Sequence, residues 1–558
     1  MNIFSSLWQK IREALQKMIG AKSIEKVLHV TPAISNRMID AIDLWSLLYT
    51  NQAPWLHEPT EHDPTRVVSL GLPSMIASEK ARTATIEMKS EITVPMEEEA
   101  VPNPEYKEPV KDELGNVQVS AVPETIIQQT PVSGAERAEF MNEQYQKGLL
   151  AKICTQLEYG IAKGGLVIKP YPVIDDEEAD VKGRFAFDFI QADGFYPLSF
   201  NSSGELTECA FIQRKVDKET VYTRLEHHKL EKDKVTVSNT AYRTKNTSTT
   251  DNNAMSPDLG DEIQLTSIPE WADLEPKTEI TNVDRLLFGY FKMPEANTID
   301  PHSPLGVSGF SRAVDLIKDA DNQYSRLLWE YEAGEMALDV DVDALESKKL
   351  HDGTTHTSML QKQRRLFRKL DLGTEDTYQP FAPALRDNSF IGGLNTILMR
   401  IEDTCALSRG TLSDPAAEAR TATELKILKQ RTFVANAHIQ EALEKALRDV
   451  VYCMDVYCTL YNMVNDVKMI NGEVDSNRIG QYTISFEWDD SIISDVDEEL
   501  TKRLTLMEKG LESKINVRMW YFGETEVQAR EALERIKEEA RENMEQELQF
   551  APINGGGI

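Results

Sequence analysis

A long stretch near the end of the chain, free of helix breakers, limits its architecture more than any other feature. From Ala416 to Asn471 there is no glycine or proline. Apolar residues recur there every three or four positions, which predicts one helix from about Thr421 to Tyr461, on the order of 60 Å long at about 1.5 Å per residue. The stripe comprises Leu428, Ala435, Ile439, Leu443, Ala446, Val450 and Met454. A helix this long predicts an elongated plan rather than a compact enzyme.

Composition indicates a globular protein of several domains. The chain has 558 residues, of which 41% are hydrophobic, so it exceeds a single core and has apolar material for several. Its 61 basic residues against 92 acidic ones give a formal net charge of −31. Such a surface repels phosphate, so any contact with nucleic acid must be local or weak.

The five cysteines do not suggest a disulfide framework. They are odd in number and scattered, which favours reduced thiols in a cytoplasmic setting. Cys453 and Cys458 lack a second pair at metal-ligand spacing, so we expect them at buried helix positions. The adjacent His227 and His228 lie on opposite faces of a predicted strand, cannot chelate together, and are expected at the surface.

Two shorter helices flank a compact segment before the long helix. The first is predicted within Val307 to Met336, N-capped by Ser308 and ending near Gly334. Its apolar stripe comprises Phe310, Val314, Ile317, Tyr324, Leu327, Leu328 and Tyr331, while Asp315, Asp319, Arg326 and Glu330 lie off it. The compact segment, Ala337 to Arg386, has strand-like sequence and a turn at 351–353. The second helix is predicted from Ser389 to Leu407.

The first half of the chain predicts an α+β domain. Helices are expected at 31–50, 73–84 and 134–162. Strand-like alternation follows in GGLVIKPYPV and RFAFDFIQADGFYPLSF, and LTECAFIQRKV, TVYTRLEHHKL and KVTVSNTAYRT continue as an antiparallel meander. Residues 95–133 are rich in Pro, Glu and Val with no sustained period, which indicates a long, partly mobile insertion.

The two ends of the chain carry different sequence patterns. Residues 4–18 form an amphipathic pattern, interpreted as a helix docked on its own domain or a neighbouring chain, with a membrane-surface helix as the alternative. No segment approaches the roughly 20 apolar residues that a membrane span requires. Near the other end, Asp495 is a candidate N-cap, the helical spacing continues through Val527, Leu533 and Ile536, and the final PINGGGI is expected to be flexible.

Sequence motifs for catalysis are scarce. There is no GxxxxGK[ST] phosphate loop, no GxGxxG after a strand, no HExxH, no GxSxG and no paired CxxC. Acidic runs such as 175–178 and 489–490 are expected to be solvated surface in so acidic a chain rather than metal sites. We therefore expect no enzymatic activity, no cofactor and no metal.

A resemblance to a known family rests on four ordered stretches. Residues 271–335, which include FGYFKMPEANTIDPHSPLGVSGFSRAVDLIKDADNQY, resemble the core signature of portal proteins from long-tailed bacteriophages of Gram-positive hosts. The stretches IQADGFYPLSF, LSRGTLSDPAAEARTATELK and the segment from FEWDDSIISDVDEEL to ALERIKEE resemble the same family in the same order. The similarity spans most of the chain apart from the 95–133 insertion and the C-terminal tail.

The resemblance implies a division into the parts of a portal subunit, a mainly helical α+β fold. The implied parts are a wing at 1–306, a first stem helix at 307–336, a clip at 337–386, a second stem helix at 387–407, a tunnel loop at 408–420, a long wing helix and return strand at 421–490, a crown at 491–550 and a flexible tail at 551–558. The subunit is expected in a ring, typically a dodecamer, at one capsid vertex of the virion, and in the host cytoplasm during assembly.

The implied partners follow from that position. They are the terminase large subunit, a head-completion adaptor, the major capsid and scaffolding proteins, and double-stranded DNA held weakly and without sequence preference, with no membrane. The expected DNA-facing residues of the tunnel loop are Arg409, Ala416, Ala417, Glu418, Ala419 and Arg420. Short side chains suit a loop around moving DNA, because each engaged Lys or Arg strengthens phosphate binding that translocation must break. Arg409 and Arg420 either contact the DNA backbone transiently or pair with Asp414 and Glu418.

A basic cluster lies in the implied clip. Lys362, Arg364, Arg365, Arg368 and Lys369 are the densest positive group in the acidic second half. They are expected either to orient terminase and the adaptor by charge complementarity or to form salt bridges between subunits, and less readily to touch DNA.

Two other classes of protein remain as alternatives. A structural minor capsid protein without a channel would share the long helices but would not need the order helix, interruption, helix, small loop. A metal-dependent nuclease of the packaging apparatus would need convergent carboxylates, which the sequence does not identify.

Overall fold

The computed structural model describes most, but not all, of the chain. The described residues are 27–28, 34–58, 65–86, 88–94, 96–102, 110–111, 117–118, 125–131, 135–175, 183–217, 220–245, 259–341, 347–349, 355–357, 367–370, 378–414, 422–464, 469–470, 473–474, 482–488, 496–522, 529–530, 532–533 and 535–536. Only the backbone is described for those of the described residues that fall within 96–135, 340–379, 422–430, 469–474 and 496–499, and for residue 245. The chain divides after Glu487 into a large and a small compact unit.

Two helices and a strand open the described part of the large unit. They are α1 (Asn36–Tyr49), α2 (Leu72–Thr85) and β1 (Met88–Thr93). Trp45 and Met38 on α1 and Ile76 on α2 are almost fully buried, so both helices contribute one face to the core. The predicted helices at 31–50 and 73–84 are confirmed here, whereas the amphipathic residues 4–18 lie outside the described residues.

The 95–133 insertion contains paired strands. They are β2 (Met96–Pro102), β3 (Val110–Lys111), β4 (Val117–Gln118) and β5 (Thr125–Pro131). β2 pairs with β5 in an antiparallel register running from Met96 opposite Pro131 to Pro102 opposite Thr125, and β3 pairs with β4. The local pattern did not predict these strands, because pairing depends on a partner strand and not only on the period within each one.

A helical stretch returns after the insertion, as predicted. It comprises α3 (Ala135–Gln144), a π-helical turn (Tyr145–Leu150) and α4 (Ala151–Lys163). Gly164 ends α4 with a φ of 89°, and a Cβ there would lie 2.8 Å from the carbonyl oxygen of Gly306. Gly306 is equally constrained, since its Cβ would lie 2.2 Å from the carbonyl oxygen of Gly164. These two glycines let the segment that leads into the next long helix cross α4 at backbone contact.

Antiparallel sheets form the rest of the first half and confirm the predicted α+β character and meander. The strands are β6 (Gly165–Ile174), β7 (Gly183–Gln191), β8 (Phe195–Phe200), β9 (Leu206–Asp217), β10 (Thr220–Glu231), β11 (Lys234–Lys245), β12 (Asp261–Ile263), β13 (Lys277–Thr281) and β14 (Gly289–Lys292). One sheet has the order β12–β11–β10–β9–β8, with β13 also on β11, and another has the order β14–β6–β7.

The histidines of β10 differ from the prediction. His228 is only 3% exposed, with its ring against Phe211 and Phe288 and its Nε2 2.7 Å from Glu226 Oε1. Burial lowers the pKa of this histidine. His227 Nε2 lies 2.8 Å from Glu208 Oε1. The expectation of two surface histidines is therefore wrong for His228, because the aromatic segment before β14 covers that face of the meander.

The first long helix of the second half is shorter than expected. It is α5 (Val314–Ala333), preceded by a 3₁₀ turn (Ser311–Ala313) and closed by Gly334 as predicted. Ser308 is not the N-cap, because it lies upstream of that turn, where its Oγ accepts the N–H of Phe310. Glu330, expected off the apolar stripe, is buried, whereas Tyr331 is 41% exposed. An ion pair to the next helix, described below, causes that reversal for Glu330.

Short strands fill the segment between the two helices. They are β15 (Ala337–Asp341), β16 (Ser347–Lys349), β17 (Thr355–Thr357), β18 (Phe367–Leu370) and β19 (Tyr378–Phe381). β15 lies between β18, parallel to it, and β19, antiparallel to it. β16 pairs with β17 across the predicted turn at 351–353, which itself lies outside the described residues.

Two helices follow, with a loop between them. They are α6 (Asp387–Thr404) and α7 (Ala422–Tyr461), which confirms the long helix. On α7, Ile439, Leu443, Val450 and Met454 are buried as predicted, and so are Cys453 and Cys458. All five cysteines, each within the described residues, are thiols without a disulfide bond. A Cβ on Gly289 of β14 would lie 2.2 Å from the carbonyl oxygen of Ala446, so α7 lies at backbone contact on that sheet.

Among the described residues after α7 there are three short strands and two helices. They are β20 (Met469–Ile470), β21 (Glu473–Val474), β22 (Thr483–Trp488), α8 (Val496–Glu508) and α9 (Lys514–Phe522). β22 pairs with β1 and so returns the chain to the first helices. The candidate N-cap Asp495 and the final PINGGGI lie outside the described residues. Of the helical spacing further on, Leu533 and Ile536 are described and Val527 is not.

Candidate functional site

The candidate site is the base of the loop that joins α6 to α7, of which residues 405–414 are described. The helix ends at Thr404, and the chain then turns at Ala406 and Gly410, whose φ angles are 57° and 87°. A positive φ is easily reached by glycine and is unfavourable for alanine. The backbone of this short segment is therefore held in a conformation that its surroundings must stabilise.

Glu402, in the last turn of α6, supplies that stabilisation. Its side chain is fully buried, with 0% of the residue exposed. Oε1 accepts the backbone N–H groups of Gly410, Leu412 and Ser413 at 3.1, 2.7 and 2.8 Å. Oε2 accepts the hydroxyl of Ser413 at 2.8 Å. One carboxylate thus satisfies four donors of the loop.

The adjacent Asp403 makes a different kind of contact. One oxygen accepts a guanidinium N–H of Arg409 and the other lies 3.1 Å from Arg431 Nη1 at the start of α7. About a third of the Asp403 side chain remains exposed, so this bridge is open to water and salt. The described partner of Arg409 is therefore Asp403 on α6, and not Asp414; Glu418 lies outside the described residues.

Further hydrogen bonds hold the two ends of the described loop. Thr432 of α7 bonds to the hydroxyl of Ser408 at 2.9 Å and donates to the carbonyl of Ala406 at 3.1 Å. Asn395 of α6 accepts the N–H of Asp414 at 2.8 Å. The described loop is thus held by α6 along its length and by α7 near its start.

Most of the residues predicted to face DNA or to dock a partner lie outside the described residues. Ala416, Ala417, Glu418, Ala419 and Arg420 lie outside the described residues, as do Lys362, Arg364 and Arg365. Arg368 and Lys369 lie on β18, of which only the backbone is described. Of the expected DNA-facing set, the structure describes Arg409 alone.

An ion pair between the buried carboxylate of Glu330 and the exposed guanidinium of Arg386 joins the last turn of α5 to the start of α6. Glu330 of α5 accepts the backbone N–H of Arg386 at 3.0 Å and its guanidinium at 3.1 and 2.7 Å. These contacts lower the pKa of Glu330, the side-chain hydrogen bond from Arg386 being the main cause. A Cβ on Gly334 would lie 2.2 Å from Leu385, so the helices approach closely beside the pair.

A second buried carboxylate ties α5 to the N-terminal region. Asp321 is 1% exposed and accepts the indole N–H of Trp55 and the backbone N–H of Leu70, both at 2.9 Å. Burial raises the pKa of this carboxyl. Lys80 of α2 donates to Glu295 and to the carbonyl of Gly309 at 2.9 and 3.0 Å, just before α5. Trp55, Leu70 and Lys80 are therefore part of the structure that supports α5.

Sequence reasoning missed Glu402, Asp403 and Asp321. In a chain with 92 acidic residues, a carboxylate that folds inward carries no distinctive local pattern. A weak signal existed for Glu402, which lies at the end of a helix just before the small polar residues of SRGTLS. Such residues offer free N–H groups to a nearby acceptor.

Two further features are absent from the described part of the chain. Among the described residues, no group of three or more His, Cys, Asp or Glu side chains is arranged to hold a metal ion. No described helix combines the length and apolar character needed to cross a bilayer.

Comparison with known proteins identifies the family. The model of the family described as phage portal protein, SPP1 Gp6-like, matches residues 123–546, well over half of the chain. No curated protein matches the sequence significantly. The chain belongs to the SPP1 Gp6-like family of phage portal proteins; it is a bacteriophage virion component that acts in DNA packaging.

Proposed function

We propose that this portal protein assembles into a closed ring at one vertex of the capsid and that DNA passes through the ring during packaging and ejection. The family match across residues 123–546 carries the proposal. It is supported by the order of elements in the second half, where α5 and α6 flank a small strand-rich segment and an anchored loop leads into the 40-residue α7. A minor capsid protein without a channel does not need this order.

In this proposal the parts of the subunit have the roles expected of a portal. Residues 1–306 and α7 with its return strand form the wing, α5 and α6 form the stem, 337–386 the clip, and the small unit from about residue 491 the crown. Residues 408–420 form the tunnel loop around the DNA. The ring, a dodecamer by this proposal, is present at the portal vertex of the virion and, before assembly, in the host cytoplasm.

Weak contact with DNA is central to this function. Each Lys or Arg that engages a phosphate adds affinity that must be lost at the next step of translocation. The chain has a net charge of −31, and the loop beyond Asp414 begins with Pro415, Ala416 and Ala417. Arg409 pairs with Asp403 within the subunit. These features support a channel that surrounds DNA without binding it tightly.

We further propose that the clip docks the terminase large subunit during packaging and a head-completion adaptor afterwards, and that the major capsid and scaffolding proteins surround the ring. The cluster of Lys362, Arg364, Arg365, Arg368 and Lys369 is suited to orient such partners by charge. The family is a structural one, and we propose that the chain itself has no enzymatic activity.

Imaging of the purified protein tests the central proposal. Negative-stain electron microscopy is expected to show rings with a central hole. A monomer in solution, together with the absence of an annulus from virions and precursor shells, would refute the channel. Metal-dependent DNA cleavage by the purified protein would instead favour the nuclease.

The clip proposal has its own test. Reversing the charge of Arg364 and Arg365 to Glu is expected to abolish packaging while rings still form. If ring formation is lost instead, the cluster joins subunits and does not dock a partner.

A further inference from the structure

Two neighbouring carboxylates hold the base of the loop by different kinds of contact. Glu402 is fully buried and takes four donors from Gly410 to Ser413, whereas Asp403 is about one-third exposed and pairs with two arginines. A buried, charged acceptor forms stronger hydrogen bonds than a solvated one. Salt and water weaken the Asp403 bridge but cannot reach Glu402. The two residues should therefore differ in how firmly they hold the loop.

The donors that Glu402 satisfies have few alternatives. The N–H of Gly410 also lies 3.3 Å from the hydroxyl of Ser413, but the N–H groups of Leu412 and Ser413 point at the carboxylate. Ser413 is buried, and a buried N–H group that loses its acceptor is strongly unfavourable. The turn at Gly410, with its φ of 87°, brings these donors together on one side of the chain. Loss of the carboxylate should therefore release the whole segment and not a single bond.

We propose that Glu402 is a positioning residue, which fixes Gly410–Ser413 on α6 and thereby sets the point from which the rest of the tunnel loop leaves the stem. The proposal rests on the channel function proposed above. A force that DNA exerts on the loop would then reach α6 through a buried set of hydrogen bonds and would not unravel the loop from its base. Asp403 adds ion pairs to Arg409 and to Arg431 of α7 that are not needed for this anchoring.

Amide hydrogen exchange on the purified full-length protein tests the anchor without reference to DNA. Glu402→Ala removes all four contacts, and Glu402→Gln keeps one oxygen but removes the charge. Exchange of the Gly410, Leu412 and Ser413 amides is expected to accelerate by about tenfold or more in the alanine variant, and by less in the glutamine variant. Glu441→Ala is the matched control, because Glu441 lies on α7 with a side chain 84% exposed. Asp403→Asn should leave these three amides protected.

A packaging assay tests what the anchor does. Phages carrying Glu402→Ala or Glu402→Gln are expected to form rings in normal yield but to package less DNA than Glu441→Ala. If Glu402→Ala does not fold, two milder variants still test the anchor by amide exchange and packaging. These are Glu402→Gln and Ser413→Ala, the second of which removes only the hydroxyl contact. Unchanged exchange of the three amides, or unchanged packaging despite faster exchange, would overturn the inference while leaving the channel proposal intact. Absence of rings in the unaltered protein would refute the proposed channel function. The amide-exchange result would still show whether Glu402 anchors the loop.

Discussion

The ion pair between Arg137 and Asp455 gives the sharpest prediction on stability. It joins α3, which follows the insertion, to the buried half of α7. Arg137 Nη1 lies 3.0 Å from Asp455 Oδ1 and 2.9 Å from the hydroxyl of Thr459. Only 9% of the arginine side chain and 1% of the aspartate side chain are exposed. Neither group can be rehydrated in place if its partner is removed.

Arg137→Met would leave the Asp455 carboxylate buried beside an apolar side chain. Breaking a buried pair in this way is expected to lower the free energy of unfolding by about 3–5 kcal/mol. Arg137→Met with Asp455→Leu removes both charges, and the double variant should recover most of the loss, because an apolar pair needs no compensation. Lys147→Met is the matched control: Lys147 pairs with Glu143 one helical turn along, with side chains 76% and 55% exposed.

The assay is equilibrium denaturation in urea or guanidinium chloride, followed by tryptophan fluorescence, with midpoints and slopes compared among the four proteins. The control is expected to change stability by about 0.5 kcal/mol or less. If Arg137→Met shifts the midpoint no more than Lys147→Met does, the pair is hydrated in solution and the reasoning fails. A double variant less stable than Arg137→Met alone would refute the account of the buried charge.

Three further predictions concern single positions. Gly410→Ala, at a φ of 87°, should destabilise the loop by about 1–2 kcal/mol, visible as faster amide exchange there; equal protection would mean that the turn is not left-handed. Gly289→Ala places a Cβ 2.2 Å from the carbonyl oxygen of Ala446 and should cost about 1–3 kcal/mol in denaturation, whereas Gly392→Ala, with open space around its Cβ, should cost nothing. Burial raises the pKa of Asp321 above its usual 3.8, so the folded state binds the carboxyl proton more tightly than the unfolded state does. The stability that this proton contributes is lost as pH rises through the pKa of Asp321 in the folded state. The stability of the unaltered protein relative to Asp321→Asn should therefore fall as pH rises from about 4 towards neutrality; a rise instead would contradict the assignment.

The interior of the subunit shows why local patterns succeeded in some places. The long helix was predicted to within one residue at its start, because an uninterrupted apolar stripe has few alternatives to a helix packed on one face. The antiparallel meander followed from alternation in successive segments, with β9 through β11 in the expected places. Burial of Cys453 and Cys458 followed from their position on the helix.

Charged residues show where local patterns failed. Glu330 belongs to the polar face of α5 by its spacing, yet it is buried because Arg386 reaches it from the next helix. His228 is buried because Phe288 covers it from a distant segment. The strands of the 95–133 insertion escaped prediction for a related reason, since neither strand shows a period that would reveal its partner.

The amino-acid sequence by itself determined the order of helices and strands, the acidic character of the chain and, through four ordered stretches, its family. These properties depend on residues close together in the chain or on overall composition. Tertiary structure alone decided which carboxylates act as buried acceptors: Glu402 on the loop, Asp321 on Trp55 and Leu70, and Asp455 on Arg137. A carboxylate is stable inside a protein only when donors from elsewhere in the chain converge on it, and that convergence exists only once the chain has folded.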